Sequence, residues 1–264
     1  MKLLKNYGRM NHLLAIERRN DILARLYADG KVIVSELSKI YKVTEETIRR
    51  DLEKLEKEGL AKKTYGGAVR SDSFNTDLPY NIRKQSNVPG KQKIATIIAD
   101  LINDGDYIAV DASTTALYVI KKIMTRKNIT LITNSIEILL EVANKTDWNI
   151  MSTGGTLKEG GLSLVGYQAE KMISSFHVDI TICSCKGLDL ERGITDSNEK
   201  DAQIKKALMG SASKSIIAVD SSKFDKASFV KFADINDADM IVTENQPDEQ
   251  WIRKFQAEGV ELLY

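Results

Sequence analysis

Three short amphipathic segments that run straight into a basic hairpin constrain the first 70 residues more than any other feature of the chain. Ala15 to Ala28 carries Ile16, Ile22, Leu23 and Leu26 among charges, and Asp29-Gly30 supplies a C-cap, so this stretch predicts an amphipathic helix. Val32-Ile33-Val34 is β-branched and too short for a helix. Ser35 is placed to cap a second helix through Leu37 and Ile40, and Lys42-Val43 makes a tight connection. Thr44 caps a third helix, with Glu45 and Glu46 in the first turn, where carboxylates suit the helix dipole. Its apolar stripe is Ile48, Leu52 and Leu55, and Gly59 ends it. Leu60 to Tyr65 reads as extended, and Gly66-Gly67 permits a hairpin before Ala68-Val69.

Three helices and a two-stranded wing make a winged helix-turn-helix, whose third helix enters the major groove of DNA. With its apolar stripe turned inward, that helix leaves Glu46, Thr47, Arg49 and Arg50 for the groove, with Ser35 and Thr44 at the helix starts as further contacts. The wing residues Lys62, Lys63, Tyr65, Gly66 and Gly67 are basic around a glycine tip that can approach the sugar-phosphate backbone closely. An isolated Arg-Arg pair on a helix would ordinarily be a solvated face. Its place at the start of the third helix, ahead of a Lys-Lys hairpin, reverses that preference.

Charge follows the same division. Residues 1–70 hold 16 Lys and Arg against 10 Asp and Glu, about +6, so the net +1 of the whole chain leaves about −5 for the remainder. A basic head on an acidic body suits a part that binds a polyanion joined to one that does not.

The run Thr44-Glu45-Glu46-Thr47-Ile48-Arg49-Arg50-Asp51-Leu52-Glu53-Lys54-Leu55-Glu56-Lys57-Glu58-Gly59-Leu60, followed by Tyr65-Gly66-Gly67-Ala68, resembles the head of the DeoR family of bacterial regulators. That family shows T-I-R-R-D-L and then H-G-G-A, with Tyr65 standing here in place of the histidine. Members begin a few residues before the segment matching Glu17-Arg18-Arg19, so the resemblance implies that Met1–Arg9 is an extension, with Met10 as an alternative start.

Periodicity fades between Ser71 and Gly90, which hold two of the three prolines, Pro79 and Pro89, and the stretch 71–90 reads as a linker. The expected domains are therefore 1–70, with 1–14 as a candidate extension, and 91–264. From Lys91 helical and strand patterns alternate. Strands are expected at Tyr107 to Val110, Ile129 to Ile132, Asn149 to Ser152, Ile180 to Cys183, Ile216 to Val219 and Met240 to Val242. This predicts an open α/β domain around a largely parallel sheet.

In such sheets ligands bind where strands end and helices begin. Small polar residues fill those places here: Asp111, Ser113, Thr114 and Thr115; Thr133, Asn134 and Ser135; Gly154 and Gly155; Lys186 and Gly187; Asp220 and Lys223. Helix-start N–H groups and hydroxyls suit a phosphate, lysines add charge, and Asp and Asn suit sugar hydroxyls. Each turn taken singly reads as an ordinary helix cap, and the five together favour a shared polar pocket.

The resemblance extends through this region to about Glu244. The DeoR effector domain shows an aspartate-led Ser/Thr loop, T-N-S, G-G-T, G-x-D and D-S-S-K-F. Here these stand at Asp111–Thr115, Thr133–Ser135, Gly154–Thr156, Gly187–Asp189 and Asp220–Phe224, with Ser113 where the family often has glycine. The resemblance implies a repressor of carbohydrate-utilisation genes, released by a phosphorylated sugar, whose effector domain is similar in fold to ribose-5-phosphate isomerase and coenzyme A transferases. It also implies a homo-oligomer, a dimer or tetramer, on double-stranded operator DNA.

Two alternatives stand beside this reading. A sugar-phosphate isomerase would use Asp111 as base with Lys186 or Lys223 near the oxyanion, and Glu199 close by, but it gains nothing from a DNA-reading head. An architectural DNA binder would carry a degenerate body. Neither a cofactor nor a metal is expected, since His12 and His177 are the only histidines available beside Cys183 and Cys185. Alternation puts both cysteines on one strand face as reduced core residues, which suits the cytoplasm. No apolar run approaches the ~18 residues of a membrane span, and Met1 to Asn6 lacks the apolar run of a signal peptide.

Overall fold

The computed structural model describes residues 13–71, 78–158 and 161–264, so most of the candidate N-terminal extension, 1–12, and part of the expected linker lie outside the described residues. The chain divides into a head, residues 1–86, and a body, residues 87–264.

The head contains helix α1 (Ala15–Asp29), strand β1 (Lys31–Ile33), helices α2 (Val34–Tyr41) and α3 (Glu45–Lys57), strands β2 (Ala61–Thr64) and β3 (Gly67–Arg70), and helix α4 (Tyr80–Gln85). Ile22, Leu23 and Leu26 of α1 meet Ile48 and Leu52 of α3 in a fully buried core. Ile16, expected on the same stripe, is exposed instead. Seven residues before Leu23 it keeps nearly the same azimuth, but it stands in the first turn of α1, at the end of the helix. Gly30 ends α1 in the left-handed region at φ 79°, donating its N–H to the Leu26 carbonyl. The three strands form an antiparallel sheet in the order β1-β3-β2.

Two expectations need correction here. Ser35 does not cap α2: the helix begins one residue earlier, with Ile33 at the cap position and no capping side chain. The Val34 N–H is instead satisfied by the Gly66 carbonyl at 2.9 Å, so the wing starts the helix without a hydroxyl. The stretch 71–90 is also not a plain linker. Tyr80–Gln85 is helical, with Ile82 buried in the head core, and Val88 opens the first helix of the body. Pro79 precedes α4 and Pro89 lies in the first turn of helix α5 (Val88–Ala99), where a missing N–H costs nothing, so these prolines mark helix starts.

The body is built on a seven-stranded parallel sheet of order β15-β14-β12-β9-β4-β5-β6. Its strands are β4 (Tyr107–Val110), β5 (Thr130–Thr133), β6 (Asn149–Ser152), β9 (Val178–Cys183), β12 (Ala212–Ala218), β14 (Met240–Val242) and β15 (Glu261–Leu263). Alternate side chains leave opposite faces. Ile108, Val110, Ile180 and Ile182 pack under helices α5 (Val88–Ala99) and α6 (Thr114–Ile123). Ala109, Cys183, Ile217 and Ile241 pack on the other face under α8 (Tyr167–Ser174), α9 (Glu199–Gly210) and α10 (Glu249–Glu258). Cys183 and Cys185 share that second face as buried free thiols, and burial pushes Cys185 up to about 12.

Two smaller sheets were not foreseen. A hairpin pairs β7 (Thr156–Leu157) with β8 (Leu164–Val165). A three-stranded antiparallel sheet orders β10 (Gly187–Asp189), β11 (Gly193–Asp196) and β13 (Val230–Ala233). Helix α7 (Ile136–Val142) follows β5. Among the described residues no helix is long and apolar enough to cross a membrane.

Candidate functional site

Helix α3 is the third helix of the head, the one expected to read DNA. Thr44 caps it, its Oγ1 accepting from the Thr47 N–H at 3.2 Å while the two hydroxyls meet at 2.9 Å. Arg49 and Arg50 are exposed, and each is held by a carboxylate one turn earlier: Arg49 to Glu45 at 2.8 Å and Arg50 to Glu46 at 3.2 Å. Exposed pairs of this kind contribute only about 0.3–0.5 kcal/mol each, so a phosphate or a guanine edge can replace the glutamates at little cost.

Asp51, within the same motif, has a different task. It faces inward, three residues after Ile48 and four before Leu55, and its Oδ2 accepts from Arg18 Nε at 2.6 Å with both side chains buried. Arg19 approaches its other oxygen at 3.7 Å. This pair fixes α1 against α3 and so orients the reading face. Helical spacing alone marks Asp51 as inward and was the available signal.

The wing residues separate into two groups. Tyr65 is fully exposed at the tip beside Gly66, where an added Cβ would meet nothing within 4 Å among the described residues, and Lys62 is exposed. Lys63 turns back to α3: its ammonium donates to Glu53 at 2.9 Å and its N–H to Glu56 at 2.8 Å. That hydrogen bond from Lys63 holds the Glu53 carboxyl below its usual range. Gly67 lies in β3, where an added Cβ would stand 1.9 Å from the Val32 carbonyl oxygen, so its glycine serves the close approach of β3 to β1.

In the body, strand order reverses between β4 and β9, the place where open α/β sheets form a ligand crevice. Asp111 leaves β4 there, buried, with both carboxylate oxygens engaged. Oδ1 accepts from the Ser113 N–H at 3.0 Å, and Oδ2 accepts from the Ser184 N–H at 3.1 Å and from the ammonium of Lys205. Lys205, on α9, is buried and also donates to the Ser184 carbonyl at 2.7 Å, with Asp196 Oδ2 at 3.4 Å. Burial by itself would push this ammonium down. The carboxylates of Asp111 and then Asp196 outweigh it and hold the group above its ordinary range. Lys205 was absent from the residues singled out in the sequence.

The other polar turns line the same edge of the sheet. Ser113 caps α6 by accepting from the Ala116 N–H at 3.0 Å, and Ser135 caps α7 by accepting from the Ile138 N–H at 3.2 Å. Thr133 donates to the Val110 carbonyl at 3.0 Å. Asn134 donates to the Leu164 carbonyl at 2.9 Å, which pins the β7–β8 hairpin beside the crevice, and its buried Oδ1 has no partner among the described residues. Thr114 and Thr115 form the buried first turn of α6. Gly154 and Gly155 have φ of 62° and 104°, and a Cβ on Gly155 would stand 2.7 Å from the Val165 carbonyl. Gly187 is likewise closed, by the Lys226 carbonyl at 2.3 Å. Lys186 is partly buried and its N–H donates to Thr195 at 2.9 Å. Asp220 accepts from the Ser222 N–H at 3.0 Å and caps the single 3-10 turn Ser221–Lys223, which carries Lys223 at its end. Several of the hydroxyls and the Asp111 carboxylate thus build the loops, while Lys186 and Lys223 supply positive charge there. Among the described residues no group of three or more His, Cys, Asp or Glu side chains is placed to hold a metal ion.

A reading helix with a basic wing, followed by an α/β body with a polar crevice at its strand ends, defines a two-part DNA-binding transcriptional regulator with its own sensor domain. Residues 18–74 match the DeoR-like helix-turn-helix domain, and residues 86–245 match the DeoR C terminal sensor domain. The chain belongs to the DeoR family, and it is a regulator of transcription, not an enzyme. It is 38% identical to the HTH-type transcriptional regulator YulB of Bacillus subtilis, over 95% of this chain and 96% of that protein. It is 30% identical to a putative aga operon transcriptional repressor of Escherichia coli O157:H7, over 94% of this chain and 93% of that one. Among solved structures, a D-ribose-5-phosphate isomerase in complex with phospho-erythronic acid aligns with a TM-score of 0.38 and 17% identity, over 51% of this chain and 53% of that chain. That likeness is too slight to speak to function.

Proposed function

We propose that the protein represses carbohydrate-utilisation genes and is released from its operator by a phosphorylated sugar bound at the strand ends of the body. The observation that carries the reading is the adjacency of β4, β9 and β12 in the parallel sheet, since the first turn of α6 and the two lysine-bearing segments Lys186-Gly187 and Asp220–Lys223 follow the C-terminal ends of these strands. Charge and helix-start N–H groups suit a phosphate, and Asn134, whose buried oxygen has no partner among the described residues, suits a sugar hydroxyl. Asp111 and Ser113 shape this seat, and Gly154, Gly155 and Gly187 let the loops close on it. The resemblance of the chain to an aga operon repressor supports the repressor assignment.

On DNA, a homo-oligomer presents paired heads to repeated half-sites, a dimer being the smallest arrangement that does so. Arg49, Arg50 and Thr47 read the groove while Lys62 and Tyr65 hold the backbone. The test pairs thermal shift with operator-binding anisotropy against ribose 5-phosphate, glucose 6-phosphate, fructose 6-phosphate and inorganic phosphate. One sugar phosphate should raise the melting temperature and weaken operator binding together. Arg50→Ala should lose operator affinity by about 1–3 kcal/mol and keep that thermal shift, and Lys223→Ala should do the reverse. A variant that loses both while still folded would end the proposed division of labour.

A further inference from the structure

Asn87 is the first residue of the body and follows directly on Ser86, the last of the head. It holds a left-handed backbone at φ 46°, a conformation asparagine tolerates better than most residues. Its exposed side chain works in two directions. Oδ1 accepts from the Gly90 N–H at 3.3 Å and caps α5, while Nδ2 donates to Glu244 Oε1 at 3.1 Å. An added Cβ at Gly90 would stand 2.6 Å from that same Nδ2, so glycine there leaves room for the side chain.

Glu244 follows β14 and is buried. Its carboxylate is shared. Ser221 Oγ donates to Oε1 at 2.8 Å and the Ser221 N–H to Oε2 at 2.9 Å, with Thr243 Oγ1 donating to Oε2 at 3.1 Å. Ser221 opens the turn that ends in Lys223. One buried carboxylate therefore fastens the lysine-bearing turn at the crevice to the residue where the chain enters the head.

We propose that Glu244 is a coupling residue, which carries effector occupancy at the Asp220–Lys223 turn to Asn87 and so to the tether of the DNA-binding head. This rests on the effector site proposed above. A phosphate drawn onto Lys223 shifts Ser221, the neighbour that supplies two of the four donors to Glu244 among the described residues. A buried carboxylate that loses donors must re-form its bonds, and the exposed Asn87 amide is the partner with freedom to move. Asn87 then has two arrangements, anchored to Glu244 or released, and effector and operator favour different ones.

The test uses the full chain and its operator, with ribose 5-phosphate, glucose 6-phosphate and fructose 6-phosphate as probes. In the wild type the active probe should weaken operator binding by about 5–150-fold. Glu244→Gln and Asn87→Ala remove the anchored arrangement, so without probe each should bind operator about as weakly as the probe-bound wild type, should bind the probe at least as tightly as the wild type does, and should be weakened further by it less than about twofold. Full wild-type weakening in both variants would overturn the relay. If no probe binds the wild type, the proposed function fails, and the relay is decided separately by amide exchange at Gly90 in the ligand-free protein. Ser221→Ala and Glu244→Gln should each speed that exchange by about tenfold, and unchanged rates would overturn the relay.

Discussion

The ammonium of Lys205 closes on the carboxylate of Asp111 in the buried floor of the crevice, joining α9 to the end of β4. The same ammonium holds the Ser184 carbonyl after β9 and faces Asp196 at the end of β11, so one side chain gathers four segments. A buried pair of this kind contributes little net energy compared with an apolar replacement of the whole cluster, yet removal of one member is costly.

Lys205→Met should therefore destabilise the body by about 3–5 kcal/mol, because Asp111 and Asp196 are left as buried, uncompensated carboxylates. Adding Asp111→Asn should recover part of the loss. Because the Lys205 pKa is raised above its ordinary value of 10.5, its contribution is fully present below that value and fades only as pH rises through the folded value. Urea unfolding of the three proteins at about pH 8, below that value, measures both differences. A single-variant loss below about 1 kcal/mol would show that the cluster relaxes or admits water.

Asp51→Ala makes the corresponding experiment in the head. Arg18 is then buried without its partner, and the head should lose about 3 kcal/mol while the body keeps its own transition. Operator binding should fall even though Asp51 faces away from the groove. Calorimetry would resolve the two units, and an unshifted head transition would refute the orienting role.

Much of this was legible in the sequence because the relevant physics is local. The parallel strands announce themselves as β-branched runs such as Ile180 to Cys183, and the third helix as a stripe with a Thr44 cap. The small sheet was not legible. Gly187–Asp189 and Gly193–Asp196 are short and each is bounded by Gly and Asp, which strands disfavour, and their order comes partly from Val230–Ala233, more than thirty residues later. Lys205 was hidden for a related reason. Lys205-Lys206 reads as a solvated pair, but Lys205 falls three residues from both Ala202 and Leu208 on the buried face, and its carboxylate partners are distant in sequence. The polar turns do follow strands of the sheet, though spacing could not tell which hydroxyls serve as caps, as Ser113 and Ser135 do.

Acid should loosen the β7–β8 hairpin before the sheet. Lys158, just after β7, reaches Asp201 on α9 at 2.5 Å. Burial alone would raise that carboxyl, but the Lys158 ammonium, with help from Lys205 and Asn198, holds it below its ordinary 3.8. A depressed carboxyl contributes stability that is present above the unfolded value and lost as pH falls through the folded one. The stability difference between wild type and Lys158→Met, of order 1 kcal/mol, should be constant above about pH 4 and shrink below it. A difference that stays full-sized at about pH 2 would mean the pair is not its source.

The two glycines of the wing should behave oppositely although they are neighbours. Gly66 has an ordinary backbone and open space around its missing Cβ, so Gly66→Ala should fold normally and shift the melting temperature by no more than a degree or two. Any loss of operator affinity it causes then reports crowding at the DNA backbone. Gly67→Ala cannot be accommodated in the same way. The new methyl would collide with the Val32 carbonyl at 1.9 Å, so β1 and β3 must separate, and the Val32 to Ala68 pairing is lost with them. Overpacking of a rigid backbone site costs about 1–3 kcal/mol or more, and here the damage includes the Gly66 carbonyl that starts α2. Gly67→Ala should therefore lower the melting temperature of the head and abolish operator binding while the body unfolds as in the wild type. Equal tolerance of both substitutions would show that the wing sheet is not needed to hold the reading helix.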